Sequence, residues 1–118
     1  MTEIEELLAK LEKLDPETWS RVDKVLGLVV YPRSPLGHYI IQGVIQDAIA
    51  ADDRFLFFEV RCTSYFDVKY EATIFAGVFE VVDGAVVDRS HDAHGDTPAE
   101  ALLRAYILAL EAEREAGR

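Results

Sequence analysis

The sequence predicts a mixed α+β domain laid out as an α/β/α sandwich: N-terminal helices, an antiparallel meander of three to four strands, and a C-terminal helix. Three observations carry this. Apolar residues recur at helical spacing near both ends, period-two alternation fills the middle, and the first long strand segment is apolar on both of its faces. All 118 residues fit one domain, spanning 1–118.

The first helix is expected over Thr2 to Leu14, where Ile4, Leu7, Leu8, Leu11 and Leu14 share a face and Thr2 with Glu5 forms a capping box. Asp15-Pro16 restarts the chain as cap and first helical position; Trp19, Val22, Val25 and Leu26 follow on one side, and Gly27 is the stop. Leu28 to Tyr31 reads as a short strand. The stretch Pro32 to His38, broken by two prolines and a glycine, reads as a loop, with a helix from Tyr39 to Ala51 after it.

Arg54 to Thr63 is the clearest strand. Phe55 and Phe57 point one way and Leu56, Phe58, Val60 and Cys62 the other, so helices are expected to cover both sides. Val68 to Ala76 alternates cleanly, and Gly77 marks a bulge. Asp83-Gly84 between Val81-Val82 and Ala85-Val87 signals a hairpin. Strand material is thus expected from 54 to about 89 as one meander, followed by a polar loop over Ser90 to Asp96. Thr97-Pro98-Ala99-Glu100 then opens the last helix, with Leu102, Leu103, Tyr106, Ile107 and Leu110 inward.

Composition narrows function. The net charge of −10, with most of the 22 carboxylates in the second half, opposes direct binding to nucleic acid or to an anionic membrane surface. It suits an acidic face meeting a basic protein. No apolar run approaches the ~20 residues of a spanning helix, and Glu3, Glu5, Glu6 and Glu12 interrupt what would be a signal-peptide core. With Cys62 the only cysteine, a disulfide within the chain is impossible. A cytoplasmic protein is expected.

No catalytic constellation assembles. Ser90-His91-Asp92-Ala93-His94-Gly95-Asp96 has metal-ligand residue types, but His-x-x-His in a loop lacks converging donors, so neither metal nor cofactor is expected. Cys62, on the apolar side of a strand, reads as a small buried hydrophobe. Binding residues are sought instead in the loop Tyr31 to Tyr39 and the turn Ser64-Tyr65-Phe66. Arg33, His38, Tyr39, Arg61 and Tyr65 are the candidate anchors, aromatic and cationic side chains being the usual ones.

Taken with Leu7 to Leu14, the Leu26-Gly27 ending, Tyr31-Pro32 and the run Thr97-Pro98-Ala99-Glu100-Ala101-Leu102-Leu103-Arg104-Ala105, the chain resembles the small phage proteins of the phage ABA (alpha-beta-alpha) sandwich domain type. It departs from them at Tyr39-Ile40-Ile41-Gln42, where a Thr-Ser-Ile-Asp-like start is expected, and lacks their cysteine in the final helix. The resemblance implies a phage or prophage origin and carries no site residues.

The expectation is therefore a small acidic phage-encoded binding protein without turnover. It would inhibit a host defence system by binding a basic host protein or by sequestering a nucleotide-like small molecule in the host cytoplasm, and a homo-oligomer is compatible with this. The alternatives are a metal-dependent hydrolase using His91, Asp92, His94 and Asp96, and a virion-assembly component.

Overall fold

In the computed structural model, which describes residues 3–27, 30–63, 69–76, 80–87 and 89–117, the helices form where caps and apolar spacing coincide. Helix α1 (Glu3–Leu14) buries Ile4, Leu7, Leu8 and Leu11 on one face; acids fill its first turn and Lys13 its last, complementing the helix dipole. Helix α2 (Pro16–Leu26) is capped by Asp15, which accepts from the Thr18 amide at 3.2 Å and the Thr18 hydroxyl at 2.6 Å. It ends at Gly27, whose φ of 63° favours glycine.

Helix α3 (Pro35–Ala51) begins four residues earlier than the sequence suggests. Ser34-Pro35 is a cap-and-proline start like Thr97-Pro98, hidden by the neighbouring Pro32 and Gly37 that read as loop punctuation. Val30 and Tyr31 are not strand; residues 28–29 lie outside the described residues.

The strands are β1 (Phe55–Cys62), β2 (Tyr70–Ala76), β3 (Glu80–Val82), β4 (Ala85–Val87) and β5 (Ser90–Gly95), with helix α4 (Pro98–Glu115) closing the chain. β1, β2 and β5 form an antiparallel sheet in that order. Among the described residues β3 and β4 pair only with each other, turned by Asp83 (φ 52°) and Gly84 (φ 80°) as a type I′ hairpin requires. The expected continuous meander is therefore corrected: its third sheet strand is the Ser90–Gly95 tract, read from sequence as a loop. The bulge at Gly77 falls outside the described residues.

The mixed α+β class, the N-terminal helices, the three-stranded antiparallel sheet and the closing helix are all present. Helix α4 crosses β5, β2 and β1, and α3 lies beside it over β1; α1 and α2 pack on α4, α3 and each other and, among the described residues, reach no strand. The core sits between sheet and helices, with Leu11, Val22, Ile41, Ile45, Ile74, Leu102, Leu103 and Tyr106 fully buried.

Two expectations about β1 fail. Its faces are not both covered: Leu56 and Phe57 remain 64% and 52% exposed, because both sheet-contacting helices lie on one side. A register shift between Phe55 and Phe57 turns Phe55 inward against Tyr106, at 6.4 Å between ring centroids, while Phe57 faces out and stacks on Phe75 at 4.2 Å. Cys62 is exposed, not buried, since the helices do not reach that end of the edge strand.

Buried polar ties join the layers. Tyr106 donates its hydroxyl to Asp15 Oδ2 at 2.7 Å, linking α4 to the α2 cap. Fully buried Glu113 on α4 pairs with Arg89 at 2.5 Å, and the same oxygen lies 3.9 Å from His91 Nε2 on β5. Burial alone would raise the Asp15 pKa, but the hydrogen bonds from Thr18 and Tyr106 outweigh it and hold the carboxyl below its ordinary range.

Arg89→Met is expected to destabilise the protein by ~3 kcal/mol, because it removes a cation from a buried carboxylate. Adding Glu113→Gln should recover part of the loss; a urea midpoint unmoved by the first change refutes this role. The depressed Asp15 pKa contributes stability that is complete above the ordinary aspartate value of ~4. That contribution is lost as pH falls through the folded-state value. Thermal melts from pH 5 downward should therefore show a shallower stability loss for Asp15→Asn than for the parent, and parallel curves would contradict it.

Candidate functional site

Two helix starts, brought side by side, build an apolar-walled groove. The chain enters α3 through a turn in which Ser34 donates its hydroxyl to the Tyr31 carbonyl (2.7 Å) and accepts from the Gly37 amide (3.0 Å). The turn closes tightly over the first helical turn: a Cβ on Gly37 would stand 2.1 Å from the Tyr31 carbonyl oxygen. Arg33 at its apex extends over the Tyr31 ring, 5.7 Å from the centroid. Opposite, Thr97 caps α4 by accepting from the Glu100 amide at 3.2 Å.

His38, one turn into α3, joins the two starts through Nδ1 and Thr97 Oγ1, 2.8 Å apart. That bond fixes the ring and leaves Nε2 as its other polar atom. Burial pushes the His38 pKa down, so the imidazole is neutral at pH 7. The groove between the starts has a volume of about 370 Å³. Pro35, Pro98, Ala99 and the exposed ring of Tyr39 form its apolar walls, and Arg33, His38, Gln42 and Thr97 supply polar groups.

The electrostatics favour an anion. Both helices present N-terminal ends here, each carrying roughly half a positive charge, and Arg33 adds a full one. The nearby acid Glu100 is turned away, bonded to Arg104 at 3.0 Å. Burial and the neighbouring Glu3 raise its pKa, while the Arg104 guanidinium opposes that shift. An apolar wall with a convergent cation, a neutral imidazole and an amide side chain is what a small ligand pocket needs.

Of the residues singled out from sequence, the structure brings Arg33, His38 and Tyr39 together at this groove. Arg61 is elsewhere, on the outer sheet face, paired with Glu59 at 3.1 Å and with Glu71. Tyr65 lies outside the described residues. Alternation along β5 sends His91 inward to Glu113 and His94 outward to Glu71, so His91, Asp92, His94 and Asp96 do not converge. Sequence reasoning missed Gln42, Thr97, Pro98 and Ala99. Thr97 was legible as a cap, but nothing in the sequence signals its approach to His38, 59 residues away.

A second hollow, of about 420 Å³, runs past Asp15, Arg21, Asp52 and Tyr106. Asp15 and Asp52 are engaged there: Asp52 holds Arg54 through Nε (2.9 Å) and Nη2 (2.6 Å), and Asp15 holds Thr18 and Tyr106.

Compared with known proteins, the chain matches no family model, no curated protein and no solved structure.

The Ser34 turn and the groove stand or fall together. Gly37→Ala should cost roughly 1–3 kcal/mol, since the new methyl must displace backbone that has nowhere to go. It should also open the turn that carries Arg33. Unchanged stability, with an unchanged amide spectrum for residues 31–38, would show that the turn is not locked this way.

Proposed function

We propose that this is a stoichiometric binding protein whose groove at the starts of α3 and α4 takes a nucleotide-like anion. One observation carries the reading: Arg33, His38 and two helix N-termini converge on a groove whose walls are apolar. An anionic group suits the positive end, and the exposed Tyr39 ring offers a face on which a base stacks. The scattered placement of His91, His94 and Cys62 favours binding over turnover, and no metal or cofactor is invoked.

Between the two expected mechanisms, the groove favours the sequestered small molecule over docking on a basic host protein. The resemblance to phage sandwich-domain proteins supports a setting in the cytoplasm of a phage host, where holding a nucleotide signal would blunt a defence response. Among the described residues, no helix is long and apolar enough to cross a membrane.

Calorimetric titration of the chain with nucleotides, their parent nucleosides and inorganic phosphate tests the proposal. A nucleotide should saturate at one site per chain and be recovered unchanged, and the nucleoside and phosphate alone should bind more weakly. Arg33→Ala should reduce affinity at least tenfold, the scale of a charge-assisted hydrogen bond, and Tyr39→Ala by a comparable factor through lost stacking. Arg61→Ala should leave affinity unchanged.

An anion beside His38 raises its pKa, so binding takes up a proton. Affinity should therefore rise as pH falls from 8 toward 5.5, and His38→Gln should flatten that rise. A catalytic amount of protein converting an excess of ligand would overturn the reading.

A further inference from the structure

We propose that the open edge of β1 is a two-fold interface, on which a second copy of this chain pairs antiparallel about Val60. The direction of the backbone groups comes from one bond. Thr63 donates its amide to the Lys69 carbonyl at 2.7 Å, at the end of the β1–β2 ladder. Antiparallel partners alternate between hydrogen-bonded and non-bonded pairs. Phe57, Glu59, Arg61 and Thr63 therefore spend their N–H and C=O groups on β2. Phe58, Val60 and Cys62 aim theirs at the open edge, against which no strand lies among the described residues.

Bare edges of this kind are usually blunted by lysine, proline or a very short strand. β1 runs eight residues, Phe-Leu-Phe-Phe-Glu-Val-Arg-Cys, with neither residue; its one irregularity, between Phe55 and Phe57, leaves Phe57 to Cys62 in regular register. Leu56 and Phe57 stand exposed beside the edge, and Cys62 is exposed on it.

Charge selects the occupant and the register. A second β1 meets this edge only with outward-bonding residues opposite each other, a condition met by a two-fold through any residue from Phe58 to Cys62. Through Glu59 or Arg61 the axis would set that charge against its own copy, which leaves Phe58, Val60 or Cys62. Centred on Val60, each Glu59 faces the partner's Arg61 in the closer, non-bonded type of pair, ~4.5 Å between Cα atoms. Phe58 then meets the partner's Cys62, and Phe57 the partner's Thr63. Within one chain Glu59 and Arg61 already lie 3.1 Å apart and 43% and 57% exposed. The two-fold joins both pairs into one alternating network. Centred on Phe58, Glu59 would face the partner's Phe57 and both cross-strand ion pairs would vanish; centred on Cys62, the strands barely overlap. The edge is thus complementary to itself in hydrogen bonds, charge and apolar contact.

Sedimentation velocity of the full chain at high micromolar concentration reads the outcome. The parent should run at twice the mass of one chain. Glu59→Arg and Arg61→Glu should each be monomeric, because each sets like charges opposite one another. An equimolar mixture of the two variants should recover the dimer. Val60→Pro should also be monomeric while keeping the monomer's fold, since β2 does not use the Val60 amide; if that variant fails to fold, the charge variants decide.

Register is read separately. Val60→Cys on a Cys62→Ser background should form a disulfide across the axis under mild oxidation. In the parent the two Cys62 residues stand ~13 Å apart along the strands, too far to bridge. A monomeric parent, a dimer that survives both charge variants, a mixture that stays monomeric, or Cys62 crosslinking in the parent would each overturn the proposal.

Discussion

The close seat of α4 on the sheet is the constraint on which the rest of this structure depends. Ala72 on β2 and Ala93 on β5 meet a helix whose inward positions include Ala99, Ala101, Ala105 and Ala109, all buried. Gly95 marks the tightest point, where a Cβ would stand 2.6 Å from the Ala101 amide nitrogen. Small residues on both surfaces allow the helix axis to come near the strands, and dispersion contacts then accumulate along its length. The same closeness sets Glu113 beneath Arg89 and His91, while at the other end the packing of α4 on α3 brings Thr97 against His38. The buried ion pair follows from this seat, and the groove from the packing of α3 beside it.

One-sided cover of the sheet has its own consequences. With α3 and α4 on a single face, the outer face must be either polar or partnered. β5 and the far half of β2 meet this with Ser90, Asp92, His94 and Glu71, and Glu71 binds both His94 (2.9 Å) and Arg61. These contacts also hold the Glu71 carboxyl below its usual range. The near half instead presents Leu56 and the stacked rings of Phe57 and Phe75. An apolar group left outward on an edge strand is a contact feature more than a folding one.

The overall charge and the local site point in opposite directions. A chain of net charge −10 repels small anions at long range, yet salt screens that repulsion beyond ~8 Å at physiological strength. Inside the groove the nearest groups decide: the Arg33 guanidinium and the N-terminal ends of two helices, with Glu100 held off by Arg104. Net charge sets the company a protein keeps in solution, and a few ångströms of geometry set what enters its pocket.

By itself the sequence determined the helices α1, α2 and α4, the pairing tendency of β1 and β2, and the Asp83-Gly84 turn. Each depends on residues within a few positions of one another: a cap and a proline, a repeat of apolar residues, two positions with positive φ. It also pointed to Arg33, His38 and Tyr39, three neighbours in one loop-to-helix segment. Only the tertiary structure decided the rest. Ser90–Gly95 became a strand because α4 lies on it, demanding Ala93 and Gly95 where a sequence pattern would look for large apolar residues. Phe57 stayed exposed because the helices gathered on one face, and Cys62 because they stop short of its end of the strand; no alternation within a single strand encodes either. The groove itself needs Thr97 beside His38, and contacts across 59 residues of chain are set by packing, which local patterns do not record.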